Sequence, residues 1–93
     1  MNKNNDLKEN DNKLSNVPEP NRQEAIAYYN RGVGCCIVGS YEEAIKDYSK
    51  AIELDGKFIP AYYNRGNAYC EKGSYEEAIK DYSQAIELDD KFV

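Results

Sequence analysis

Between Ser40 and Leu54 the apolar residues Tyr41, Ala44, Ile45, Tyr48, Ala51, Ile52 and Leu54 recur at spacings of three and four. That spacing lays them along one stripe of an α-helix and leaves Glu42, Glu43, Lys46 and Lys50 on the other side. Tyr75–Leu88 repeats the pattern, and a second helical run precedes each stripe, around AYYNRG at 27–32 and again at 61–66. Ser40 with Glu43, and Ser74 with Glu77, have the spacing of capping boxes and open the later helix of each pair; Asn21 with Glu24 predicts the same for the first helix. Gly39 breaks the chain before Ser40, Asp55–Gly56–Lys57 forms a link, and Pro60 suits the first turn of a new helix. The pattern predicts four helices, near 22–38, 41–54, 60–72 and 75–88. Glu42–Lys46 and Glu76–Lys80 stand at i, i+4 on the polar side and lend slight support. Gly32, Gly34 and Gly39 weaken the first helix, because Gly is about 1 kcal/mol worse than Ala inside one.

Residues 1–20, MNKNNDLKENDNKLSNVPEP, break this pattern. After Met1, Leu7, Leu14 and Val17 are their only sizeable apolar groups. Such a stretch buries too little surface to offset its ordering entropy, so a disordered tail is expected over 1–21, with the folded part at 22–93.

The helical pattern is a duplication. SYEEAIKDYSKAIELDGKF at 40–58 returns as SYEEAIKDYSQAIELDDKF at 74–92, an offset of 34 residues, and AYYNRG returns at the same offset. Aligning 25–58 with 59–92 gives 25 identities in 34 positions. A fixed period of this length marks a stack of supersecondary units, each too small to bury its apolar face alone.

Composition narrows the function classes. The chain has 93 residues and a net charge of −5, with no cluster of Lys and Arg of the kind that nucleic-acid binding uses. No apolar run is long enough for a membrane span, and the first residues lack the apolar centre of a secretory signal. Cys35, Cys36 and Cys70 are odd in number and two are adjacent, which points to reduced thiols in a reducing compartment, the cytoplasm. There is no histidine, the most common general base and metal ligand. Two thiols one repeat apart fall short of a metal set of about four ligands. Glu42–Glu43 and Glu76–Glu77 sit at helix starts, where the dipole favours acids. No nucleophile–base pair, phosphate loop or metal set appears, so no catalytic activity and no cofactor is expected.

The period of 34, two helices per unit, and small and aromatic residues at set positions resemble the tetratricopeptide repeat. Tyr28 and Tyr62 match the aromatic that opens the family pattern, and Gly32 and Gly66 match its first-helix glycine. Ala44 and Ala78, Tyr48 and Tyr82, and Ala51 and Ala85 match its second-helix core. The resemblance covers 25–92 and implies an all-α fold, an α-solenoid of two tandem helix-turn-helix units (25–58 and 59–92) with right-handed superhelical stacking. Gly and Ala would let the helices approach closely while Tyr rings fill the wider gaps. Three departures stand out. Gly56 and Asp90 replace the proline that ends each unit, so less stiff turns are expected. Cys35 stands where the second unit has Tyr69, so looser packing is expected in the first. Arg31 and Arg65 replace the leucine before the glycine, and a buried guanidinium calls for a carboxylate, with Asp47 and Asp81 the candidates.

The resemblance further implies a role in holding a partner protein or peptide on the concave face formed by the first helices. By position that face carries Ile26, Tyr29, Asn30, Val33, Cys36 and Ile37, then Tyr63, Asn64, Asn67, Cys70 and Glu71. The groove expected to bind is Tyr29, Asn30, Val33, Cys36, Tyr63, Asn64, Asn67 and Cys70, where amides can bond an extended backbone and phenol rings offer rigid contact area. The carboxylate clamp of one subfamily needs Lys and Asn where this chain has Tyr29 and Val33, or Tyr63 and Asn67, so that activity is not expected. The alternative reading is a structural, self-assembling unit or a segment of a longer array. Helix 75–88 would then expose Ile79, Tyr82 and Ile86 as a surface for self-association.

Overall fold

The computed structural model describes residues 19–90. Four helices follow one another: α1 (Glu19–Ile37), α2 (Tyr41–Leu54), α3 (Ile59–Lys72) and α4 (Tyr75–Asp90). Helix α1 packs on α2, α2 on α3, and α3 on α4, so the described residues form an all-α stack of two helical hairpins. The expected helix boundaries hold to within three residues. The first helix, however, starts at Glu19 rather than 22, and Asn21 lies inside it rather than capping it. Pro20 presets a helical φ in a first turn where its missing N–H leaves no bond unmade, and Glu19 pairs with Arg22. Residues 19–21 are thus helical, and the remainder of the expected tail, 1–18, lies outside the described residues.

Both hairpin turns rest on a glycine in the left-handed region, Gly39 at φ 83° and Gly73 at φ 84°. In each turn the next serine's amide bonds back to the helix, Ser40 to the Cys35 carbonyl and Ser74 to that of Tyr69, both at 2.8 Å. Only a residue free of Cβ strain adopts that conformation readily, so these glycines act as helix stops. The Ser40 side chain makes no capping bond, so that capping box does not form. Glu43 faces Lys46 at 3.8 Å instead. The expected Glu42–Lys46 pair is also replaced: Glu42 reaches Lys72 of the second repeat at 2.6 Å. The turn between repeats is braced by Asp55, whose carboxylate accepts the Lys57 amide at 3.1 Å and whose carbonyl accepts that of Phe58 at 3.1 Å. A side-chain turn thus replaces the stiffness expected of a proline.

Within each repeat the glycine of the first helix receives the tyrosine of the second. A Cβ on Gly32 would lie 2.7 Å from the Tyr48 ring, and one on Gly66 would lie 2.8 Å from the Tyr82 ring. These are the close approaches expected of Gly and Tyr at those positions. Ala25, Ala51 and Ala61 form a small-residue core where α1, α2 and α3 meet, with Tyr29, Ile52 and Phe58 packed around it.

Candidate functional site

The first helices α1 and α3 carry every residue expected in the groove. Asn30, Tyr63 and Asn67 are exposed, while Tyr29, Val33, Cys36, Asn64 and Cys70 are half-buried. Much of this surface is tied together by its own hydrogen bonds. Asn64 Nδ2 donates to the Tyr29 hydroxyl at 2.8 Å, across the repeat boundary. The Tyr48 hydroxyl donates to Cys36 Sγ at 3.6 Å, and the Tyr82 hydroxyl lies 3.6 Å from Cys70 Sγ and also donates to Asn67 Oδ1. Tyr29 is further held by the Tyr48 ring at 5.7 Å and the Phe58 ring at 5.1 Å. Tyr63 has the matching contact with Tyr82 at 5.7 Å and is otherwise open, 54% exposed.

Burial raises the phenols. The Tyr48 hydroxyl is pushed well above its ordinary value of 10.0, first by desolvation and then by its bond to Cys36. Tyr82 is pushed up to about 12, again by desolvation first and the Cys70 contact second. Both therefore stay neutral donors across the physiological range. The Cys35 thiol is also raised, by desolvation first and the Asp47 charge next. Because the thiolate is the reactive form, this thiol is a poor nucleophile. All three cysteines are free.

On the opposite side of each first helix an arginine holds the aspartate of the second. Arg65 Nε and Nη2 reach Asp81 Oδ2 and Oδ1 at 2.8 and 2.7 Å, and Arg31 grips Asp47 the same way at 3.0 and 2.8 Å. These are the pairings that the sequence called for. Arg65 also donates to Ser49 at 3.0 Å, joining the repeats, and lies over the Tyr62 and Tyr69 rings.

At the end of the stack α4 has no helix beyond it among the described residues. An open hollow of about 450 Å³ lies there, lined by Ile59, Tyr63, Tyr82, Ala85, Ile86 and Asp89. Tyr75, Ile79 and Ile86 are exposed beside it.

Two family models match this chain, the tetratricopeptide repeat at residues 59–92 and the TPR repeat at 35–71. The chain is a tetratricopeptide-repeat protein. The 35–71 match straddles α2 and α3, which is how a periodic array reads when the frame moves by half a unit. A crystal structure of MamA superposes with a TM-score of 0.70 at 39% identity, covering 72% of this chain and 39% of that one. A second MamA structure gives 0.68 at 39% identity, covering 72% of this chain and 37% of that one. The chain thus spans about two-fifths of the length of these solved structures.

With the tetratricopeptide frame in place, the hollow is the feature the helical stripe only half predicted. Ile86 and Tyr82 were legible as its wall from their spacing. Ile59 and Ala85 were not, because their equivalents in the first repeat, Ala25 and Ala51, are buried in the core with Ala61. Tyr63 belongs to both surfaces, at the rim of the groove and in the wall of the hollow. No helix among the described residues is long and apolar enough to cross a membrane.

Proposed function

We propose that this chain is a protein-interaction module that receives a segment of a partner protein along the groove of α1 and α3, binding rather than catalysing, in a reducing compartment such as the cytoplasm. Tetratricopeptide repeats are in general protein-interaction modules, which supports the class. The observation that carries the groove reading is the division of labour on its surface. Tyr29, Asn64, Cys36 and Cys70 are fixed by hydrogen bonds, while Asn30 and Tyr63 stand exposed beside them. A surface already ordered loses little entropy when a ligand arrives, so its few exposed amide and phenol groups can contribute more of their contact energy. Asn64 is less suited to direct contact than its type suggests, because its amide is engaged with Tyr29.

The test is selection of a binding peptide from a displayed library, followed by titration into the parent and into an Asn30→Ala/Tyr63→Ala variant. Affinity should fall at least about fivefold, roughly 1 kcal/mol, with no loss of helical content. Unchanged affinity would move the site off this face.

A further inference from the structure

We propose that copies of this chain associate head to tail, the outer face of α1 in one copy seated on the open face of α4 in the next. The internal contact between repeats supplies the template. Ala61 of α3 fills the core formed with Ala25 and Ala51, and it is fully buried there. Moving that site one repeat along gives Ile59 and Ala85, both of which line the open hollow. The receiving face, Tyr75–Leu88, is identical to Tyr41–Leu54 at every position but one, Gln84 for Lys50. It is therefore shaped for a helix resembling α3.

The chain carries such a helix at its other end. AYYNRG of α3 is repeated in α1, and there the residue matching Ala61 is Ala27, which is exposed. A smaller hollow of about 250 Å³, lined by Ala27, Tyr28 and Arg31, marks this face, which no other helix covers among the described residues. The cross-repeat bonds have counterparts too. Asn64 to Tyr29 becomes Asn30 to the Tyr63 of the neighbouring copy, and Arg65 to Ser49 becomes Arg31 to its Ser83. Asn30, Arg31, Tyr63 and Ser83 are all exposed. One contact is missing: Val38 takes the place of Lys72, so the ion pair with the residue matching Glu42 is lost. The contact between copies is accordingly weaker than the one within the chain, and concentration-dependent. Because two different surfaces meet, and each step from copy to copy repeats the stacking of a twisting solenoid, the assembly is open-ended rather than a closed dimer.

Sedimentation equilibrium over a wide concentration range tests this, with the whole chain and two variants, Ala27→Glu to block the head and Ile86→Glu to block the tail. Both positions are exposed, and circular dichroism verifies the fold; Ala27→Lys and Ile86→Lys serve if either glutamate disturbs it. The parent should exceed twice the monomer mass of 10.6 kDa without a plateau. Each variant alone should stay monomeric, and an equimolar mixture of the two should form a dimer, since one intact head then meets one intact tail. A monomeric parent at every concentration overturns the proposal, as does a mixture that stays monomeric. An Ala27→Glu variant that dimerises alone overturns it in favour of tail-to-tail pairing of α4.

Discussion

The two repeats differ at nine of 34 positions, yet the same side chains do different things in each. Tyr48 is 1% exposed, whereas Tyr82, against an equivalent glycine, is half-buried and borders an open hollow. The second repeat covers the first, and among the described residues nothing covers the second. The arginines differ in the opposite sense. The Arg65 side chain is 20% exposed and the Arg31 side chain 67%, although both grip an aspartate with two bonds. Tyr69 and Ser49 account for this: one ring and one hydroxyl enclose Arg65, while the first repeat has Cys35 in place of the ring. What a residue contributes in a stacked array thus depends on which neighbour covers it as much as on its own repeat.

The largest effect should come from Tyr48→Ala, which removes a fully buried ring and costs about 4 kcal/mol in chemical denaturation. Tyr82→Ala should cost clearly less, because its ring already borders open space; equal losses would contradict the difference between the repeats. Next comes Arg65→Ala, which leaves the buried Asp81 without its partner and should cost about 3 kcal/mol. Arg31→Ala should lower the melting temperature by a smaller amount, since water can replace an exposed guanidinium.

Gly32→Ala forces a Cβ against a ring that cannot move and should cost about 2 kcal/mol despite the better helix former. Gly66→Ala should be milder, since Tyr82 can swing toward the hollow, and a thermal melt of both variants ranks them. Asn64→Ala deletes the bond to Tyr29 across the repeats and should cost about 1 kcal/mol. The smallest effect is in alkali. Tyr48 and Tyr82 hold their protons above the ordinary value of 10.0, so above pH 10 the unfolded chain loses those protons first. Stability contributed by these phenols is complete below pH 10 and declines as pH rises toward 12 and beyond. Burial raises the Tyr62 phenol too, so tyrosinate absorbance during an alkaline titration should show three late phenols, and Tyr82→Phe should remove the one at about 12.

The repeat, its helices and the Arg–Asp pairs were legible in the sequence because each rests on a local rule or a fixed spacing. A period of 34 places Arg31 beside Asp47 as surely as Arg65 beside Asp81. The capping boxes at Ser40 and Asn21 were misread because both residues have the right spacing but answer to their surroundings. Left-handed Gly39 and Gly73 set the turns, and Pro20 carries the first helix past Asn21. Glu42 was misassigned because Lys72 lies 30 residues away in the chain and comes near only through stacking. The looser packing expected from Cys35 is confined to the exposure of Arg31, since the covering repeat decides how deeply Tyr48 is buried. In the groove, residue type pointed to Asn64 as a binding amide. Its bond to Tyr29 could be found only once the first helices were set side by side.

Residue-resolved amide hydrogen exchange on dilute protein tests the effect of the covering repeat most directly. The amides of α2 between Ala44 and Ile52 should be protected more strongly than those of α4 between Ala78 and Ile86, despite identical sequence at all but one of these positions. Equal protection in the two helices, or stronger protection in α4, would contradict the account.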